Sequence, residues 1–186
     1  KEHIERELIL INGIEDVARS VIRREDINGV LVQLLETMYR GLGLAHVLFC
    51  LTEEDENRMC AKTGFGDNID DYVRQFRFSI AKNKGNKDLF STALNLNKDY
   101  IINCEKDRIH SAMLPEWFRK IASPSSILVL PLVIDGNPVG LFYGDLTKHN
   151  ATIDRSLVKH VFQLRNQVVA AIKKTFIHGG KRIAMR

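Results

Sequence analysis

The sequence predicts an α+β fold, an α/β sandwich whose antiparallel sheet is shielded on both faces and bracketed by helices. Three observations predict it. The stretch from Ile127 to Ile134 is apolar at almost every position, so neither face of that strand can be in water. It runs through Asp135, Gly136, Asn137 and Pro138 into a second apolar strand, and Asp-Gly supplies hairpin-turn chemistry. Beyond it, apolar residues recur at helical spacing from Leu157 onward.

The 186 residues, 45% of them hydrophobic, suffice for one sizeable core but not for two. No apolar run approaches the ~20 residues of a membrane span, and the first residues, Lys1, Glu2 and His3, lack a signal-peptide pattern. A soluble, cytoplasmic protein is expected. Cys50, Cys60 and Cys104 are odd in number and lack metal-ligand spacing, and so read as reduced thiols. The net charge of +4 is spread over alternating acidic and basic residues, as on solvated helix faces. Only the tail is one-sided, gathering Lys173, Lys174, Lys181, Arg182 and Arg186 without stacking aromatics or a DNA-reading motif, so nucleic acid is not an expected partner.

Ile4, Leu8, Ile11, Ile14, Ala18 and Val21 alternate spacings of three and four, the stripe of an amphipathic helix or short coiled coil that needs a partner. Gly13 weakens that helix by about 1 kcal/mol relative to alanine, so packing must supply its stability. A second helix is expected from the N-cap Asp26 through Val30, Leu31, Leu34, Leu35 and Met38 to Gly41 or Gly43. "LAHVLFCLTE" and "RMCAKTGFG" read as adjacent antiparallel strands around an acidic loop from Glu53 to Asn57.

Between Asp67 and Ala122 short helices are expected at "DDYVRQF", "KDLFSTALNL" and "PEWFRKIA", with an extended piece at "DYIIN" and a mobile loop at 82–88. Pro131 predicts a bulge or an unpaired backbone position in its strand. The closing helix is expected from the N-cap Asp154 to about Phe176, with one stripe at Leu157, Val161, Leu164, Val168 and Ile172 and a second at Val158, Phe162, Val169 and Phe176. That surface is wider than one sheet contact needs, so part of it is expected to meet another subunit.

Helix, strand pair, irregular helical middle, the "LPLVIDGNPVGLFYGD" hairpin and a long final helix together resemble the GAF domain, a ligand-sensing family of signalling proteins. The resemblance covers residues 26–176 and is most specific from Ile127 to Asp145, with "GLGLAHVLFCL" supporting it. More narrowly, "LLETMYRGLGLAHVLFCL" is similar to GAF domains attached to HDOD output domains in bacterial regulators. The resemblance implies about six antiparallel strands, terminal helices on one face, and a pocket on the other under the variable middle. It also implies terminal helices that pair between subunits. Residues 1–25 are then a linker or signalling helix, 26–176 the GAF-like domain and 177–186 a basic tail.

Candidate walls of such a pocket are Phe76, Phe78, Phe90, Leu94, Trp117 and Phe118, with polar Asn97, Arg108 and His110 available. The alternative is that these aromatics fill the space themselves as a satellite core. Cyclic-nucleotide-binding members carry an Asn-Lys, Phe, Asp-Glu pattern, of which only Asn97 and Lys98 are present, and bilin-binding members place a histidine beside their cysteine, where Cys104 is followed by Glu105 and Lys106. Haem could in principle use His110, but a lone histidine in a charged loop is more often a solvated or hydrogen-bonded side chain.

No Gly-rich phosphate loop or His-Glu metal pair points to an enzyme. One enzymatic alternative is the cysteine-dependent reduction of free methionine sulfoxide known among GAF-like proteins, which would need Cys104 activated by Lys106 and Arg108 and resolved by Cys60. The expectation is a non-enzymatic regulatory module that binds an unknown small ligand, forms a homodimer through its terminal helices and serves an output domain in the full-length chain, with no nucleic-acid or membrane partner and no cofactor specified. The competing expectation is a ligand-free dimerisation scaffold.

Overall fold

The structure, a computed structural model, describes residues 1–53, 57–80 and 88–179, with side chains up to Lys174 in the last segment. The chain forms two compact units, one from residues 1–43 with the chain from Asp154 onward, the other Leu44–Ile153. Of the acidic loop, the 82–88 stretch and the basic tail, residues 54–56, 82–87 and 180–186 lie outside the described residues.

The first unit is helical: α1 (Glu2–Ile22), α2 (Ile27–Leu42) and α7 (Arg155–Gly179). Both predicted ends of α2 hold, since the Asp26 side chain accepts the Asn28 N–H and Gly43 closes the helix at φ 62°. All five predicted apolar positions of α2 are buried. In α7 the Leu157–Ile172 stripe is buried throughout. Of its second stripe, Val158 is buried, Phe162 and Val169 are half-buried, and the Phe176 side chain is outside the described set.

α1 departs from its predicted stripe. Its buried line is Leu10, Gly13, Val17 and Ser20, whereas Ile4, Leu8 and Ile11 remain 62%, 53% and 38% exposed. The reason is steric. A Cβ at Gly13 would lie 2.3 Å from the Thr37 methyl, so the glycine lets α1 approach α2 closely, and Ser20 Oγ donates to Gln33 across the same seam. Periodicity alone favoured the larger side chains. The helix pair instead closes on the line that contains Gly13 and Ser20, with Leu10 and Val17, and leaves the isoleucine–leucine face open.

The second unit holds one six-stranded antiparallel sheet in the order β3-β2-β1-β6-β5-β4. The strands are β1 (His46–Thr52), β2 (Arg58–Gly66), β3 (Arg77–Ser79), β4 (Tyr100–Asn103), β5 (Ser126–Ile134) and β6 (Asn137–Leu146). The helices between them are α3 (Ile69–Gln75), α4 (Leu89–Leu96), α5 (Arg108–Ser111) and α6 (Glu116–Ile121). The α+β class and the strand count agree with expectation. β3 and α5, at three and four residues, are too short to leave a periodic signal.

The β5–β6 hairpin turns at Asp135 and Gly136, both at positive φ (50° and 79°), the pair of left-handed residues that a tight turn matched to strand twist requires. β5 is shielded on both faces, as its composition demands. Ile127 and Val129 enter the core cluster under α4 and α6, and Leu128, Leu130 and Leu132 on the opposite face are fully buried too. The irregularity expected at Pro131 lies between Leu132 and Val133, opposite β6. Pro131 itself falls two residues beyond the last β4 pair, Tyr100 with Val129, where that ladder needs no donor.

Candidate functional site

One face of the sheet carries an aromatic cluster built from four segments. α3 ends at Phe76, whose N–H donates to the Tyr72 carbonyl while its own carbonyl accepts from Ala61 of β2, so the ring is fixed at both peptide bonds. β3 contributes Phe78. α4, capped by the Asp88 side chain on the Ser91 N–H, contributes Phe90 and Leu94, and the Leu89 N–H donates to the Met113 carbonyl, joining α4 to the segment that leads into α6. α6 begins after Pro115 and delivers Trp117 and Phe118.

These rings meet around Phe76. Its centroid lies 5.1 Å from Trp117, 5.3 Å from Phe90 and 5.0 Å from Tyr143 of β6, and the first two contacts are edge-to-face. Trp117 stacks on Phe78 at 5.5 Å and 11°. Such pairs add about 0.5–1.5 kcal/mol each beyond their burial. Phe76, Phe90 and Phe118 are fully buried and Leu94 nearly so, whereas Trp117 is half-buried and forms the outer side of the cluster.

The structure thus brings together the six apolar candidates but not the three polar ones. Asn97 is exposed as the left-handed C-cap of α4. Arg108 is exposed on α5. His110 closes the α5 cap, with its N–H donating to Asp107 Oδ1 and its Nδ1 2.6 Å from Oδ2, and its ring packs 5.5 Å from Tyr100 rather than on the aromatic cluster. These bonds hold the Asp107 carboxyl below the usual aspartate range, the His110 N–H foremost. Among the described residues no three His, Cys, Asp or Glu side chains gather as a metal site.

The thiols are shifted away from nucleophilic chemistry. The sulfoxide-reducing alternative needs Cys104 activated by Lys106 and Arg108, but burial and the carboxylates of Asp145, Glu105 and Asp107 push its thiol up to about 11. A reactive cysteine needs the opposite shift. Burial also raises Cys60, which donates to Glu53 at 2.9 Å, and holds Cys50 protonated still more strongly. Cys60 lies in β2 and Cys104 just past β4, with β1, β6 and β5 between them, four strand spacings or roughly 19 Å apart. A disulfide requires Cα atoms within about 7 Å.

Sequence reasoning missed a polar group on the same sheet, formed by His46, Tyr143 and Asp145. Only an aspartate following apolar residues in β6 could have hinted at it, because His46 reaches it across 99 positions of chain.

No family model matches the chain, and no curated protein matches it. Solved structures do. The GAF domain of a phosphoenolpyruvate-protein phosphotransferase from Coxiella burnetii superposes with a TM-score of 0.69 at 10% identity, covering 94% of this chain and 99% of that one. The fold is that of a GAF domain. The phycocyanobilin-bound GAF domain of a cyanobacterial phytochrome is similar at TM-score 0.66 and 11% identity over 92% of this chain and 98% of its own. So is the free methionine-R-sulfoxide reductase of Neisseria meningitidis in complex with its substrate, at 0.65 and 15% over 93% and 91%. The GAF fold therefore accommodates a phycocyanobilin-bound domain and an enzyme, and the choice between such roles rests on the site.

Proposed function

We propose that this chain is a non-enzymatic regulatory sensory module that takes a small, largely apolar ligand beside Trp117 and pairs with a second copy through its helical unit. The observation that carries the reading is the aromatic cluster, which concentrates Phe76, Phe78, Phe90 and Phe118 behind a half-buried Trp117. Two proteins of the same fold hold small molecules, a phycocyanobilin and a sulfoxide substrate. The protonated, separated thiols favour sensing over sulfoxide reduction.

In this reading residues 1–25 are the signalling helix, 26–176 the sensory domain and 177–186 a basic tail, and an output domain, of the HDOD kind or another, lies elsewhere in a longer cytoplasmic chain. Ligand shifts the pairing of helices only to the extent that it binds one arrangement better than the other.

A thermal-shift screen with nucleotides, amino acids and haem precursors tests the sensor. A ligand at a hundredfold excess over its Kd stabilises by about 2.7 kcal/mol, and Trp117→Ala is expected to abolish that stabilisation while leaving a cooperative transition. Silence across the screen supports the scaffold reading instead.

The open face of α1 carries the pairing. Ile4, Leu8, Ile11 and Ile22 follow heptad spacing and are exposed. Light scattering is expected to give twice the 21.2 kDa chain mass, and Leu8→Glu with Ile11→Glu to return it to the monomer value. A wild-type monomer at high concentration would remove the pairing from both readings.

A further inference from the structure

Where β1 lies beside β6, a buried polar group remains that the ligand reading does not use. Asp145 is fully buried and both its oxygens are engaged: Oδ2 accepts the Tyr143 hydroxyl at 2.7 Å, and Oδ1 lies 2.8 Å from His46 Nδ1. The other ring nitrogen, Nε2, lies 2.9 Å from the Asp67 carbonyl oxygen. A backbone carbonyl only accepts, so Nε2 carries a proton. The Asp145 carboxylate accepts as well, so Nδ1 carries another. His46 is then an imidazolium joining β6 to the turn that begins α3.

Other groups face the same centre. Tyr72, in the first turn of α3, stacks on the His46 ring at 4.1 Å and 21°. Tyr143 and Asp145 approach from β6 and Asp67 from the turn, and Cys104, just past β4, feels the Asp145 charge. Burial pulls the proton affinity of His46 down, but the Asp145 bond and charge and the Asp67 carbonyl outweigh it, leaving the imidazole above the ordinary histidine value of about 6.5.

Two covalent paths lead from this centre to the aromatic cluster. α3 carries Tyr72 near its start and ends on Phe76. Tyr143 places its hydroxyl on Asp145 and its ring 5.0 Å from Phe76.

We propose that His46, Asp145 and Tyr143 form a proton-binding site that α3 and Tyr143 couple to the aromatic cluster, making the proton a second ligand of the module. A neutral imidazole keeps one N–H. The charge-assisted bond to the Asp145 carboxylate is the stronger, so the proton lost is the one on Nε2, which is donated to the Asp67 carbonyl. The turn into α3 then loses its anchor to His46, and α3 carries the change toward Phe76.

The direction follows from linkage. The folded state raises the affinity of His46 for its proton, so the stabilisation is complete below about pH 6.5 and disappears as pH rises through the folded-state midpoint. A ligand that prefers the docked α3 tightens proton binding by the same factor.

Trp117, the only tryptophan, lies in the cluster and reports on it. The experiment titrates the intact chain from pH 5 to 9.5, following the His46 ring nitrogens by NMR, Trp117 emission, and amide exchange in α3. Tyr72, Tyr143, Cys60 and Cys104 are all shifted upward, away from the neutral part of this window.

His46 is expected to lose its second proton with a midpoint above 6.5. Trp117 emission should change with that midpoint, and α3 should lose protection by roughly tenfold for each pH unit between the unfolded and folded midpoints. Tyr143→Phe keeps the ring and removes a donor that competes for Asp145, so both midpoints should rise together. His46→Gln should flatten the Trp117 titration. A His46 midpoint at or below 6.5 would overturn the proton site. Flat Trp117 emission while His46 titrates would overturn the coupling. Neither result depends on which small molecule the module binds.

Discussion

Asp145→Ala is expected to destabilise the chain by about 3–5 kcal/mol, among the largest losses available to one substitution outside the aromatic cluster. The carboxylate is fully buried and holds two donors, so its removal strands the His46 imidazolium and the Tyr143 hydroxyl together. An unpaired buried charge dominates that loss. Tyr143→Phe removes one neutral donor from the same carboxylate and should cost about 1–2 kcal/mol. Urea unfolding followed by Trp117 emission measures both, and the midpoint should fall at an unchanged slope. Equal effects of the two substitutions would show that His46 carries no charge in the folded chain.

Phe76→Ala is expected to cost about 3–5 kcal/mol, because the ring is fully buried and its neighbours cannot collapse into the space it leaves. Phe90, Trp117, Phe118 and Tyr143 all pack against it, held by three different elements, α4, α6 and β6. Phe78→Ala, on the three-residue edge strand β3, should cost less, since that edge can close inward. Calorimetry of the two variants would separate a cluster organised on Phe76 from one in which the rings contribute alike. The latter result would also weaken α3 as the link between His46 and Trp117.

How far the sequence reached depended on the range of each interaction. The α2 caps, the Asp135–Gly136 turn and the buried stripe of α7 are set by residues within a few positions of one another, and each was legible. The grouping of Phe76, Phe78, Phe90, Leu94, Trp117 and Phe118 was legible too, because large aromatics between short elements have no lower-energy place than a shared core. Asn97, Arg108 and His110 were not. A polar side chain satisfied by its own helix cap or by water cannot be told by residue type from one aimed at a ligand.

The sequence by itself determined the α+β class, the doubly shielded β5, the closing hairpin and helix, and the absence of local motifs for common catalytic chemistry. Tertiary structure alone decided that α1 buries Leu10, Gly13, Val17 and Ser20 rather than its larger apolar face, that Cys104 faces carboxylates rather than Lys106 and Arg108, and that His46 meets Asp145. The physical reason is common to all three. Steric fit and electrostatic pairing act through space over a few ångströms, and the partners they join are distant along the chain. Local periodicity and propensity carry no record of such encounters until the sheet and the helices have formed.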